Sequence, residues 1–105
     1  MRILLDECVH AGLKRAFPAD EVKTVPEAGW SGIKNGRLLA LIGGQFDVFL
    51  TIDQNIRHQQ NLAGLSFAVL FVSVPNNMMD SYRPLLTLIA ETAHRLRPGD
   101  VTVIP

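Results

Sequence analysis

Three carboxylates follow apolar runs in this chain. Ile3-Leu4-Leu5 leads into Asp6 and Glu7, and Val48-Phe49-Leu50-Thr51-Ile52 leads into Asp53. In an open parallel sheet, the carboxyl ends of neighbouring strands border one crevice, and ligands bind there. If these two runs are neighbouring strands, acids from distant parts of the chain meet. Crowded like charges repel unless something positive sits among them. A hard divalent cation such as Mg²⁺ prefers oxygen ligands and would serve. The chemistry such a site suits is metal-assisted phosphoryl transfer, in which water is activated and phosphate charge neutralised. Asp6 and Asp53 are the candidate metal ligands and catalytic acids. Glu7 is a weaker third, because successive residues point apart on an extended chain. Taken singly, each aspartate is also an ordinary turn or cap residue after a strand.

Positioning these acids requires strands that alternate with helices. Ile3 to Leu5 is a short apolar run, expected as a strand buried on both faces. Val9 to Phe17 is predicted as a helix stopped by Pro18. Glu21 to Val25 is predicted as a more exposed strand, and Pro26 to Lys34, with Gly29 and Gly32, as a loop. Asn35 is the expected N-cap of a helix through Ile42, ended by Gly43-Gly44. Asp47 to Ile52 and Phe67 to Val74 are further strands, with a turn and weak helix between them. Asp80 or Ser81 is expected to cap the longest helix. Its apolar stripe comprises Tyr82, Leu85, Leu86, Ile89, Ala93 and Leu96, and Pro84 falls in its first turn. Val101 to Ile104 is the last strand. This alternation predicts a three-layer α/β/α domain with a mainly parallel sheet of about five strands and right-handed crossovers.

At 105 residues, the size prior is one domain, residues 1–105. A hydrophobic fraction of 48% supports a core without disulfides. The single cysteine, Cys8, excludes an internal disulfide or a Cys-rich zinc site and fits a reducing cytoplasm. The apolar run at the N-terminus is too short for a signal peptide or a membrane span. Net charge is zero, so a nucleic-acid contact must come from a local basic patch. Lys34, Arg37, Arg57 and His58 are candidates for phosphate contacts, with surface charge as the bland alternative. Asn55, Gln59, Gln60 and Asn61 form an amide-rich group able to hydrogen-bond a base or ribose, or equally a solvated surface. Thr51 and Ser73 read as core-facing hydroxyls, Cys8 as a small buried hydrophobe, and Trp30 as a plug over the core.

Three segments carry a resemblance. They are Leu4-Leu5-Asp6-Glu7, then Gly29-Trp30-Ser31-Gly32 with Asn35-Gly36-Arg37-Leu38-Leu39, and Phe46 through Asn55. Together with Arg57-His58-Gln59-Gln60-Asn61-Leu62, they resemble the PIN-like domain family, short bacterial proteins similar to VapC-type toxins of toxin–antitoxin systems. The resemblance implies a Rossmann-like PIN-like fold and a Mg²⁺- or Mn²⁺-dependent ribonuclease acting on RNA. Asp6 would match the first metal-binding aspartate and Asp53 a later one. Asn35, Arg37, Asn55, Arg57, Gln59, Gln60 and Asn61 would contact RNA. The implied partners are a cognate antitoxin protein, the RNA substrate and a second copy in a homodimer, with no membrane.

The chain also departs from the family. An acid usual near Asn35-Gly36-Arg37 is replaced by an amide, a glycine and an arginine, and arginine cannot ligate a cation. The metal site is then reduced, completed by Glu7 or water, or lost. Two alternatives follow. One is a catalytically inactive PIN-like binding module. The other is a receiver-like signalling domain phosphorylated at Asp53, although Val101 to Pro105 lacks the lysine and following helix that receivers carry.

Overall fold

The computed structural model describes residues 1–105. Its centre is a five-stranded sheet, parallel throughout, in the order β2-β1-β3-β4-β5. The strands are β1 (Arg2–Leu5), β2 (Glu21–Thr24), β3 (Val48–Thr51), β4 (Ala68–Val72) and β5 (Val101–Ile104). The helices are α1 (Asn35–Ile42), α2 (Asn55–Gln59), α3 (Met79–Tyr82) and α4 (Leu86–Arg95). Two 3₁₀ segments, Ala11–Ala16 and Arg83–Leu85, complete the elements. The expected three-layer α/β architecture is present.

Alternation along the strands divides the core into two layers. Ile3, Leu5, Val48, Leu50, Ala68, Leu70 and Val72 point to one face. There they pack with Leu13 and Phe17 of the first 3₁₀ segment and its exit, and with Ile89 and Ala93 of α4. Leu4, Phe49, Val69 and Phe71 point to the other face, against Leu38, Leu39 and Ile42 of α1 and Ile56 of α2. β1, β3 and β4 are therefore covered on both sides, which is why their sequences read as continuous apolar runs. Trp30 packs edge-on to Phe46 at 5.8 Å over the α1 layer, as the plug reading expects.

Local chemistry modifies the predicted helices. Val9 to Phe17 is not an α-helix but a 3₁₀ segment capped by His10, whose Nδ1 accepts the Gly12 N–H at 2.9 Å. Gly12 disfavours the longer helix, and a Cβ there would meet the Met79 Sδ at 2.8 Å. Lys34, not Asn35, occupies the N-cap of α1, and it supplies no side-chain cap. The long C-terminal helix is broken into α3, the 3₁₀ turn Arg83–Leu85 and α4, because Pro84 brings no N–H and crowds the preceding turn. Its stripe survives the break: Tyr82, Ile89 and Ala93 are fully buried, and Leu85, Leu86 and Leu96 pack beside them.

The crossovers do not all share one hand. The connections β1–β2, β2–β3 and β3–β4 combine lateral direction and covered face in the same sense. The β4–β5 connection moves across the sheet in the same direction as β3–β4, yet its helix α4 lies on the opposite face. It therefore has the opposite hand, against the uniform right-handed expectation. Coverage explains the choice. Without α4, one face of three buried strands would be covered only by a 3₁₀ segment and the single turn of α3.

A polar clamp fixes α4 at the amino-terminal edge. Asp20 accepts from the Met1 amine at 3.0 Å and faces His94 Nε2 at 2.7 Å, while the His94 ring stands edge-on to Phe17. Burial pushes the Asp20 carboxyl up, but the hydrogen bonds from the amine and His94 outweigh it, and its pKa falls below the ordinary 3.8. A depressed acid contributes stability above its unfolded-state pKa and loses it as pH falls through the folded-state value. Asp20→Asn is expected to cost on the order of 1 kcal/mol at pH 7 in urea unfolding. The gap to the wild type should close as pH drops below 3.8. Packing of α4 gives a second expectation. Ile89→Ala should cost about 2–5 kcal/mol and Leu88→Ala, whose side chain is 44% exposed, well under half of that. Equal losses would overturn the assigned face.

Candidate functional site

The strand order places a topological switch point between β1 and β3. After β1 the chain turns onto the α4 face, and after β3 onto the α1 face. In open α/β sheets ligands bind at the carboxyl ends of strands that diverge in this way. The register pairs Leu4 with Phe49 and Leu5 with Leu50, so Asp6 and Thr51 come next on adjacent strands. The Asp6 N–H continues the ladder to Leu50 O at 3.0 Å.

Thr51 joins the two aspartates. Its hydroxyl donates to Asp6 Oδ2 at 2.7 Å and accepts the Asp53 N–H at 3.0 Å. Thr51 is fully buried and Asp6 only 8% exposed, and these two are the only buried polar residues of the chain. Asp6 Oδ1 also accepts the Glu7 N–H at 2.8 Å. Asp53 Oδ1 accepts the Asn55 N–H at 3.0 Å and so opens α2, which leaves Oδ2 without a protein donor. Cys8 is half-buried, with Sγ 3.5 Å from Asp6 Oδ2 and 3.6 Å from Thr51 Oγ1. Burial, then the Asp6 charge, pushes the Cys8 thiol above its ordinary value. Cys8 is therefore a polar neighbour of the acid rather than a plain core hydrophobe.

Glu7 turns away from this hydroxyl. It is exposed, and its Oε1 accepts the Gly32 N–H at 2.7 Å, which ties the loop before α1 to the end of β1. Gly32 has φ +76° with nothing near its missing Cβ, so the backbone conformation is what calls for glycine.

The acids at the two edges of the sheet differ in charge compensation. At the amino edge, Asp47 faces Arg2, and Asp20 faces both the Met1 amine and His94. At the carboxyl edge, neither Asp6 nor Asp53 has a salt-bridge partner; both hold only neutral donors. Oxygen donors without a counter-charge fit Mg²⁺ or Mn²⁺. No group of three or more His, Cys, Asp or Glu side chains converges on a metal position. Asp6 and Asp53 offer two carboxylates, and a sparse Mg²⁺ site takes one or two and keeps several waters.

The residues expected to contact RNA divide into two sets. Asn35, Arg37, Gln59 and Gln60, joined by Lys34 and Gly36, line one cleft of about 670 Å³ between the start of α1 and the end of α2. The others are used locally. The Asn55 N–H is held by Asp53. Arg57 donates to Gln54 Oε1 at 3.1 Å and lies over the Phe71 ring at 5.7 Å. Asn61 Oδ1 accepts the Ala63 N–H at 3.1 Å in a turn. His58 is exposed, and so is Ser73 at the end of β4, contrary to its expected core placement. Gln54 was not singled out in the sequence, yet its Nε2 is buried without a partner beside Asp53. Adjacency to Asp53 was its only sequence signal.

No protein-family model matches the chain, and no curated protein or solved structure does.

The site makes a stability prediction of its own. Thr51→Val keeps the shape but strips two buried groups of a partner and should cost about 2–3 kcal/mol in denaturant unfolding. Thr51→Ser keeps the hydroxyl and should lose less than half as much. If the valine variant is as stable as wild type, the hydroxyl bridge does not hold the strand ends together.

Proposed function

We propose that the chain is a PIN-like, metal-dependent ribonuclease of the toxin type, cleaving RNA phosphodiester bonds in the cytoplasm and held in check by an antitoxin protein. The observation that carries this reading is the Asp6–Thr51–Asp53 arrangement at the switch point, with its two uncompensated acids. The resemblance of the segments around Asp6, Asn35 and Asp53 supports it from the sequence side. No helix is long and apolar enough to cross a membrane.

In this reading Asp6 and Asp53 would hold Mg²⁺ or Mn²⁺. The bound ion supplies an acidified water and charge neutralisation at the scissile phosphate. The chain supplies orientation. The Thr51 hydroxyl fixes the Asp6 carboxylate, and the Asn55 N–H fixes the Asp53 carboxylate. These contacts remove the freedom that ordering on ligand binding would otherwise cost. Glu7 acts on the loop before α1 rather than on the reacting group.

One observation favours the inactive binding module: no third acid joins the pair, and Arg37 stands where the family carries one. A single experiment separates the two readings. Single-stranded RNA is incubated with Mn²⁺ and wild type, Asp6→Asn or Asp53→Asn, with calorimetric Mn²⁺ titration of each. The nuclease reading expects cleavage that falls by more than about 100-fold in both variants, together with loss of the binding heat. Equal cleavage in all three proteins, or no Mn²⁺ heat in the wild type, rejects it.

A further inference from the structure

The cleft between α1 and α2 gathers polar groups that the protein itself leaves unused. Seven of the ten Lys and Arg side chains take part in no salt bridge, and of these Lys34 and Arg37 line this cleft. The side-chain amides of Asn35, Gln59 and Gln60 make no hydrogen bond within the chain and line the same cleft from two separate elements. The first-turn N–H groups of α1 lack a side-chain cap and add donors at the same end.

Gly36 is the independent sign of close approach. It is a helical residue with no positive φ, so no backbone conformation demands glycine there. Alanine would suit the helix better. A Cβ at this position would meet only the side-chain amide of Gln60, whose Oε1 lies 3.3 Å away on the cleft side. The missing side chain thus keeps the cleft floor open where a ligand would come nearest to the backbone.

These groups specify a ligand of two parts. Two free cations and bare N–H groups select a phosphate. Three amides, each both donor and acceptor, suit a flat edge carrying both kinds of group, as an unpaired nucleobase does. In an A-form duplex the narrow major groove hides such edges, so the strand must be single. We propose that this cleft binds one backbone phosphate of a single-stranded polynucleotide through Lys34, Arg37 and Gly36, and the edge of an adjacent base through Asn35, Gln59 and Gln60. The choice of a polynucleotide as the phosphate's carrier rests on the nucleolytic reading above.

The test is fluorescence anisotropy with a labelled ten-nucleotide single-stranded RNA in EDTA, so that binding is read without metal or cleavage. One phosphate neutralised on a single strand gives a slope of log affinity against log salt of about −0.7. Arg37→Gln and Lys34→Gln should each weaken binding about tenfold and make that slope shallower. Gln60→Ala should weaken binding with the slope unchanged. Gly36→Ala should weaken binding while the melting temperature holds or rises, which separates blockage from misfolding. The same sequence as a duplex should bind at least about tenfold more weakly.

Wild-type affinity in both Arg37→Gln and Gly36→Ala, equal binding of the duplex, or no binding at all overturns the proposal. The two readings fail separately. If the cleft variants lose binding while wild type and Asp6→Asn cleave equally, the cleft stands and the nuclease does not. If Asp6→Asn abolishes cleavage while the cleft variants bind as wild type, the nuclease stands and the cleft does not.

Discussion

The hydroxyl of Thr51 is the contact on which the carboxyl edge of this protein depends. It is buried, so it must find partners within the chain, and it finds one on each side. It donates to Asp6, and it accepts from the backbone of Asp53. An unpaired buried hydroxyl or carboxylate costs kilocalories, so each of these groups constrains the others. The register of β1 on β3 supplies the proximity. Apolar side chains on two faces align the strands, and the hydroxyl then turns that alignment into a defined placement of two acids. Asp6 and Asp53 receive only neutral donors.

The hand of the last crossover follows from the same need to cover strands on both faces. α1 and α2 suffice for one face of the sheet. The other would have only the 3₁₀ segment, which His10 and Gly12 keep short, and the single turn of α3. α4 fills that gap, and the Asp20–His94 contact and the Phe17 ring hold its end over the β1–β2 side.

Strand positions and their two-faced burial were legible in the sequence, because alternation and apolar runs are local signals. The acids at the strand ends were legible for the same reason. Helix extents were less so: Pro84 and Gly12 each act through crowding with a neighbouring turn or helix, which residue type signals only weakly. Thr51 was readable as a core hydroxyl, but its role at Asp6 depends on register between strands far apart in the chain. Arg57 and Asn61 looked like ligand contacts by type, yet Arg57 spends its guanidinium on Gln54 and Phe71, and Asn61 closes a turn. The hand of the last crossover had no sequence signal at all, since it is decided by which face lacks cover.

The two edges of the sheet differ in how their charges are arranged. The chain is neutral overall, so no long-range field draws in a polyanion. Recognition must then come from where the charges stand. The amino edge is neutralised pair by pair, Arg2 with Asp47 and Asp20 with the Met1 amine and His94. The carboxyl edge keeps its charges apart: acids at the ends of β1 and β3, and free cations at the start of α1. Glu7 links the two regions, since it sits next to Asp6 in sequence and anchors the loop that delivers α1. Had Lys34 or Arg37 folded onto Asp6 or Asp53, an ion pair would have cancelled both sites at once. Holding them on a separate element leaves one position that attracts a cation and another that attracts an anion.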